Sequence, residues 1–179
     1  MNDPIQHLLD DHRAIMAQVA DLRRAAADLA ARGEGAVADA LPVLGRIAHM
    51  METQLALHAR KEDEALFPAL EALFGGDGGP VQVMRMEHRA IHGEGERLRR
   101  TLRELHQVEH PQIEAGAEKL KALASSGGSA DTLKASAEEI IRLLDMHFGK
   151  EEEVLFPMAL NLLDDQVMQE VGGRIEAML

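Results

Sequence analysis

His58-Ala-Arg-Lys-Glu62-Asp-Glu-Ala-Leu66-Phe67-Pro68 reads almost the same as His147-Phe-Gly-Lys-Glu151-Glu-Glu-Val-Leu155-Phe156-Pro157. Each segment sets an imidazole and a carboxylate four residues apart, one turn along the same helix face. A second echo precedes each one: Asp11-His12-Arg-Ala-Ile15 and Glu87-His88-Arg-Ala-Ile91. The order His, His-x3-Glu, His, His-x3-Glu is an internal duplication, and most of its preserved positions are metal-ligand types.

The surrounding sequence is helical in character. Ala, Leu, Glu, Arg and Met are abundant, while Tyr, Trp and Cys are absent. Apolar residues recur at intervals of three or four: Ile5, Leu9, His12, Met16, Val19 and Leu22 in the first segment, and Met51, Leu55, His58, Glu62 and Leu66 in the second. Val81, Met84, His88, Ile91, Gly95 and Leu98 continue the pattern, as do Leu133, Ala137, Ile140, Leu144, His147, Glu151 and Leu155. The duplicated His and Glu residues stand inside these stripes and should face a core.

Breaks at Gly33-Glu-Gly35, Gly75-Gly-Asp-Gly-Gly-Pro80 and Ser125-Ser-Gly-Gly-Ser129 divide the chain into four long helices. Pro111 should kink the third or start a new helix after Val108. Pro68 and Pro157 should bend or end the turns that follow the glutamates. Asp164-Asp165 can cap a short terminal helix. The expected fold is all-α: an up-down-up-down four-helix bundle with a short extra C-terminal helix, one domain over 1–179.

A net charge of −12 argues against nucleic acid or an anionic membrane surface as partner. No apolar run is long enough to span a membrane, and the N-terminus lacks a basic leader region. The expectation is a cytoplasmic protein. Without cysteine there is no thiolate zinc site or iron–sulfur cluster. Buried imidazoles and carboxylates are costly unless paired or metal-bound. Two divalent cations bridged by the glutamates answer that cost, and nitrogen and oxygen donors suit iron, manganese or zinc. Buried ion pairs without metal are the bland alternative, and such pairs stabilise weakly.

On these residues the chain resembles the hemerythrin and hemerythrin-like (HHE cation-binding) family. The resemblance implies a non-haem di-iron centre, oxo- or hydroxo-bridged, inside a four-helix bundle. It implies His12 as ligand from the first helix, His58 and Glu62 from the second, His88 and His92 from the third, and His147 and Glu151 from the fourth. Oxygen-carrying hemerythrins place the last carboxylate five residues after its histidine, whereas Glu151 follows His147 at four.

His92 lies about 40° round and roughly 6 Å along from His88 on an ideal helix. If it binds, one iron has His88, His92 and His147, and the iron held by His12 and His58 has the open position. If it does not, six protein ligands form a nearly symmetric site. His7, His49, His106 and His110 fall off the ligand positions. Asp11 and Glu87 either orient a histidine on a neighbouring helix or face solvent. Lys61 and Lys150 should snorkel. The functions that follow are binding or sensing of O2 or NO, a di-iron oxidase or peroxidase, or iron handling read out by a protein partner.

Overall fold

The computed structural model describes residues 3–74, 79–113 and 129–179, and only the backbone at 74, 104–113 and 129. Among them every regular element is helical. Helix α1 is Pro4–Arg32. A long run, α2, covers 37–74. Helix α3 is Pro80–Ile113, and it runs on through Pro111 rather than starting anew after Val108. A second long run, α4, covers 129–162, and α5 is Asp165–Glu176. Gly33 ends α1 with φ of 55°, the left-handed conformation that favours glycine, and a 3-10 turn at Gly33–Ala36 leads into α2. The breaks expected at 75–78 and 125–128 lie outside the described residues.

Pro68 and Pro157 do not end their helices. Instead the turn before each widens to π geometry, at Glu62–Leu66 and Glu151–Leu155. The Phe67 N–H bonds the Glu62 carbonyl and the Phe156 N–H bonds that of Glu151, five residues back in each case. A proline at this point has no N–H for the carbonyl four residues earlier, and its ring would strike that carbonyl. The wider turn relieves both problems without breaking the helix. A third π turn, Met51–Leu55, precedes His58.

Contacts gather the chain into two compact units. The first comprises Met1–Ala17, Met50–His92 and Leu143–Leu179. Its core is built from Ile5, Leu8, Phe67, Leu70, Val81, Met84, Phe156 and Ala159, with Val171 and Ile175 of α5 buried among them. Here the sequence stripe is shifted slightly: Leu8 and Ile15 of α1 are buried, with Leu9 and Met16 half-buried beside them. The second unit comprises Gln18–His49 and Gly93–Arg142. Leu22, Leu44, Leu98, Leu133 and Ile140 are buried in it, and Glu34 accepts a hydrogen bond from the Ala130 N–H at the start of α4.

Asp164 caps α5: its backbone is extended and its side chain accepts from the Val167 N–H at 2.9 Å. Asp164→Ala removes that acceptor and should cost about 1 kcal/mol. Thermal unfolding should show it as a fall of roughly 2–4 °C. An unchanged melting temperature would mean the cap contributes nothing.

Candidate metal centre

Six of the seven expected ligands converge inside the first unit. One donor atom from each of His12, His58, Glu62 and Glu151 lies within 4.8 Å of all the others in that set, and the same holds for Glu62, His88, His147 and Glu151. The two sets share both glutamates. All six residues are buried. The helices explain the convergence: each carries its ligand on the apolar stripe, and α2 and α4 add the glutamate one turn further on.

The structure does not bring His92 to the cluster; its side chain is exposed. The buried positions of α3 are Val81, Met84, His88, Ile91, Gly95 and Leu98, a stripe that steps back about 20° every seven residues. His92 steps about 40° the other way. His49 is exposed too, and His7 is half-buried against Lys61. The side chains of His106 and His110 lie outside the described residues.

The donor atoms crowd without bonding one another. His147 Nε2 is 2.9 Å from Glu151 Oε1, and His88 Nε2 is 3.1 Å from Glu62 Oε2. Nevertheless, all four carboxylate oxygens, His88 Nε2 and His147 Nε2 are buried without a hydrogen-bond partner among the described residues. His12 Nε2 lies 3.2 Å from Glu151 Oε2 and 3.0 Å from His58 Nε2. Donors held about 2.1 Å from a common ion stand about 3.0–3.4 Å apart in octahedral or tetrahedral geometry. The observed spacings fit a metal, and the orphaned lone pairs give it something to satisfy.

An outer ring of acids sets the imidazoles. Asp11 Oδ2 faces His58 Nδ1 at 3.3 Å, and Glu87 Oε2 faces His147 Nδ1 at 3.1 Å. Of the two readings open for these acids, the structure gives the orienting one. The sequence reading missed two more. Glu152 Oε1 lies 2.7 Å from His12 Nδ1, and Asp63 Oδ2 lies 3.4 Å from His88 Nδ1. Both stand five residues after a ligand histidine, so their echo was there to find. An Nδ1–H donated outward leaves Nε2 as the lone pair aimed at the centre.

Lys61 corrects an expectation. It does not snorkel but is 2 % exposed, with Nζ 2.8 Å from both Asp11 Oδ2 and His7 Nε2. Its side chain runs inward because an anion waits there. Lys150 pairs with Glu87, and Arg85 with Asp63 at 2.9 Å.

Charge balance in this metal-free cluster falls to protons. Burial works to lower the His58 pKa, but Glu62, Asp11 and Glu151 hold it up at about 9. His88, against the same burial, is raised to about 11 by Asp63, Glu151 and Glu62. Burial and the Glu151 charge raise Glu62, whereas the imidazoles round Glu151 overcome its burial and hold it well below the usual range. Burial also presses Asp11 upward, yet His58 and Lys61 bring it down to about 2. A cation placed between the histidines does for this cluster what these protons do.

The sequence model of the hemerythrin HHE cation binding domain matches residues 3–126 and 104–178. This chain belongs to the hemerythrin HHE cation-binding family. No curated protein and no solved structure matches it significantly. The cation-binding character of the family and the convergent His/Glu cluster agree. Among the described residues no helix is long and apolar enough to cross a membrane.

Glu62→Ala and Glu151→Ala should each abolish tight metal binding, while His49→Ala leaves it intact. Metal held only by the folded chain also stabilises it, by about 2.7 kcal/mol at a hundredfold excess over Kd. Melting curves with metal and with a chelator should differ accordingly in the native protein and coincide in the glutamate variants.

Proposed function

We propose that this hemerythrin-like chain holds two iron ions through His12, His58, Glu62, His88, His147 and Glu151, and that the pair binds or senses a small gaseous ligand, O2 or NO. The observation that supports this reading best is the sharing of both glutamates between two sets, each of which adds two imidazoles. Facing helices in a bundle are a known setting for such carboxylate-bridged pairs. The proposal keeps the sequence reading of one cytoplasmic domain over 1–179, built as an up-down-up-down bundle with a terminal helix. Any signal would pass to a separate protein partner.

Ferrous ions held there supply the electrons and the open coordination positions with which O2 or NO is taken up. The chain's own residues do the rest. Glu62 and Glu151 present two oxygens each, enough to span both sets. Asp11, Glu152, Asp63 and Glu87 hold the imidazole rings so that Nε2 points inward. Ile15, Leu55, Ile91 and Leu144, all buried on the ligand-bearing helices, keep the surroundings apolar. With neither Tyr nor Trp in the chain, the usual radical-carrying side chains are missing.

The symmetry of the donor set favours a second reading. With His92 exposed, each ion has two imidazoles and two shared carboxylates, and vacancies fall on both. That suits a di-iron oxidase or peroxidase, which consumes O2 or peroxide.

Iron-supplemented protein should contain about two irons per chain. One tightly held ion, or zinc that iron cannot displace, would refute the pair. Stopped-flow mixing of the diferrous protein with O2 then separates the readings. A coloured adduct that bleaches under argon marks reversible binding, and direct conversion to a stable diferric form marks oxidation. Inertness toward both O2 and NO would reduce the metal to a structural or iron-sensing element.

A further inference from the structure

The two halves of the centre are near copies, so a place where they differ carries information. His12 and His88 occupy matching positions, and each has a Leu-Phe-Pro phenylalanine stacked on it. Phe156 lies 5.3 Å from His12 at 28°, and Phe67 lies 5.6 Å from His88 at 14°. Each also meets the other histidine of its half edge-on, at 4.6 Å for His12–His58 and 4.7 Å for His88–His147.

The match fails at a single ring. Phe148 stacks on His12 with centroids 3.9 Å apart and planes 13° from parallel, and it meets His58 edge-on at 5.6 Å. Phe148 follows His147 directly; the residue that follows His58 is Ala59. Among the described residues no second phenylalanine stacks on His88. Exposure follows the same division. His12, His58 and His147 are at most 1 % exposed and Phe148 is buried, whereas His88 reaches 9 % and Ala59 is half-buried.

We propose that the His88–His147 half of the centre is the one small ligands reach, past Ala59, and that Phe148 closes the His12–His58 half. A phenyl ring against an imidazole occupies the face along which water or a small anion would approach, and a methyl group leaves it free. Access therefore lies on the opposite half from the one that a coordinating His92 would have left open. This inference rests on the proposed metal pair, and its test treats the two separately.

Iron content is measured first: fewer than two ions per chain counts against the metal pair itself, and this inference falls with it. With two ions bound, an excess of EDTA should remove one about ten-fold faster than the other, the scale on which the shell around a site alters metal binding. Ala59→Phe should slow the fast phase by about the same factor and leave the slow one in place. Phe148→Ala should speed the slow phase until the two merge, and it carries the test alone if the bulkier variant does not fold. Azide, followed by its optical band, should bind about ten-fold more weakly to Ala59→Phe and at least as tightly to Phe148→Ala. A single release rate for both ions of the unaltered protein would overturn the inference. So would variants of native metal content whose release and azide affinity are unchanged.

Discussion

Two carboxylates, Glu62 and Glu151, sit fully buried with none of their four oxygens hydrogen-bonded. Charge in such a place is among the most expensive things a fold can contain. The rest of the first unit is arranged around making it tolerable. Four imidazoles surround the pair, four acids hold the outer nitrogens of those imidazoles, and Lys61, Lys150 and Arg85 hold three of the acids. The sign alternates outward in layers. Each layer gives the one inside it a fixed orientation, so the donor geometry belongs to the fold rather than to any one side chain.

That layering explains why a lysine is buried beside the site. Lys61 is wrapped because Asp11 must face His58, and an acid so placed needs a cation of its own. Its counterpart, Lys150, is 40 % exposed and does the same for Glu87 from nearer the solvent. The packing is thus less symmetric than the ligand set. Imidazoles and carboxylates are constrained by the same chemistry in both halves, while their neighbours answer only to local space.

The features legible in the sequence lie along a single helix. The four-residue spacing of His58 and Glu62, the stripe through His12 and the cap at Asp164 all follow from one helix projected down its axis. The features that were missed act between helices. Asp63 and Glu152 reach across to histidines on α3 and α1, and a projection of α2 or α4 shows them merely off the ligand face. Lys61 was misjudged for the same reason, since the anion that draws it inward belongs to α1. His92 failed for a subtler one. A 40° offset is small enough to share an ion in principle, but the drift of the buried stripe on α3 runs the opposite way, and the side chain ends in solvent.

The π turns carry a chronology. Each is an α-helix with one residue added and the flanks left in register. Those at Glu62–Leu66 and Glu151–Leu155 occupy matching places in the two repeats and end just before matching prolines. One insertion copied by the duplication accounts for both more simply than two independent ones. The turn at Met51–Leu55 has no such twin, because the corresponding stretch before His147 is ordinary α-helix. It belongs to the later period, when the halves had begun to diverge, as does the difference between Ala59 and Phe148. The wide turn after each glutamate is thus an older trait than the pairing of the two halves, and the ancestral half-chain already bent its helix there.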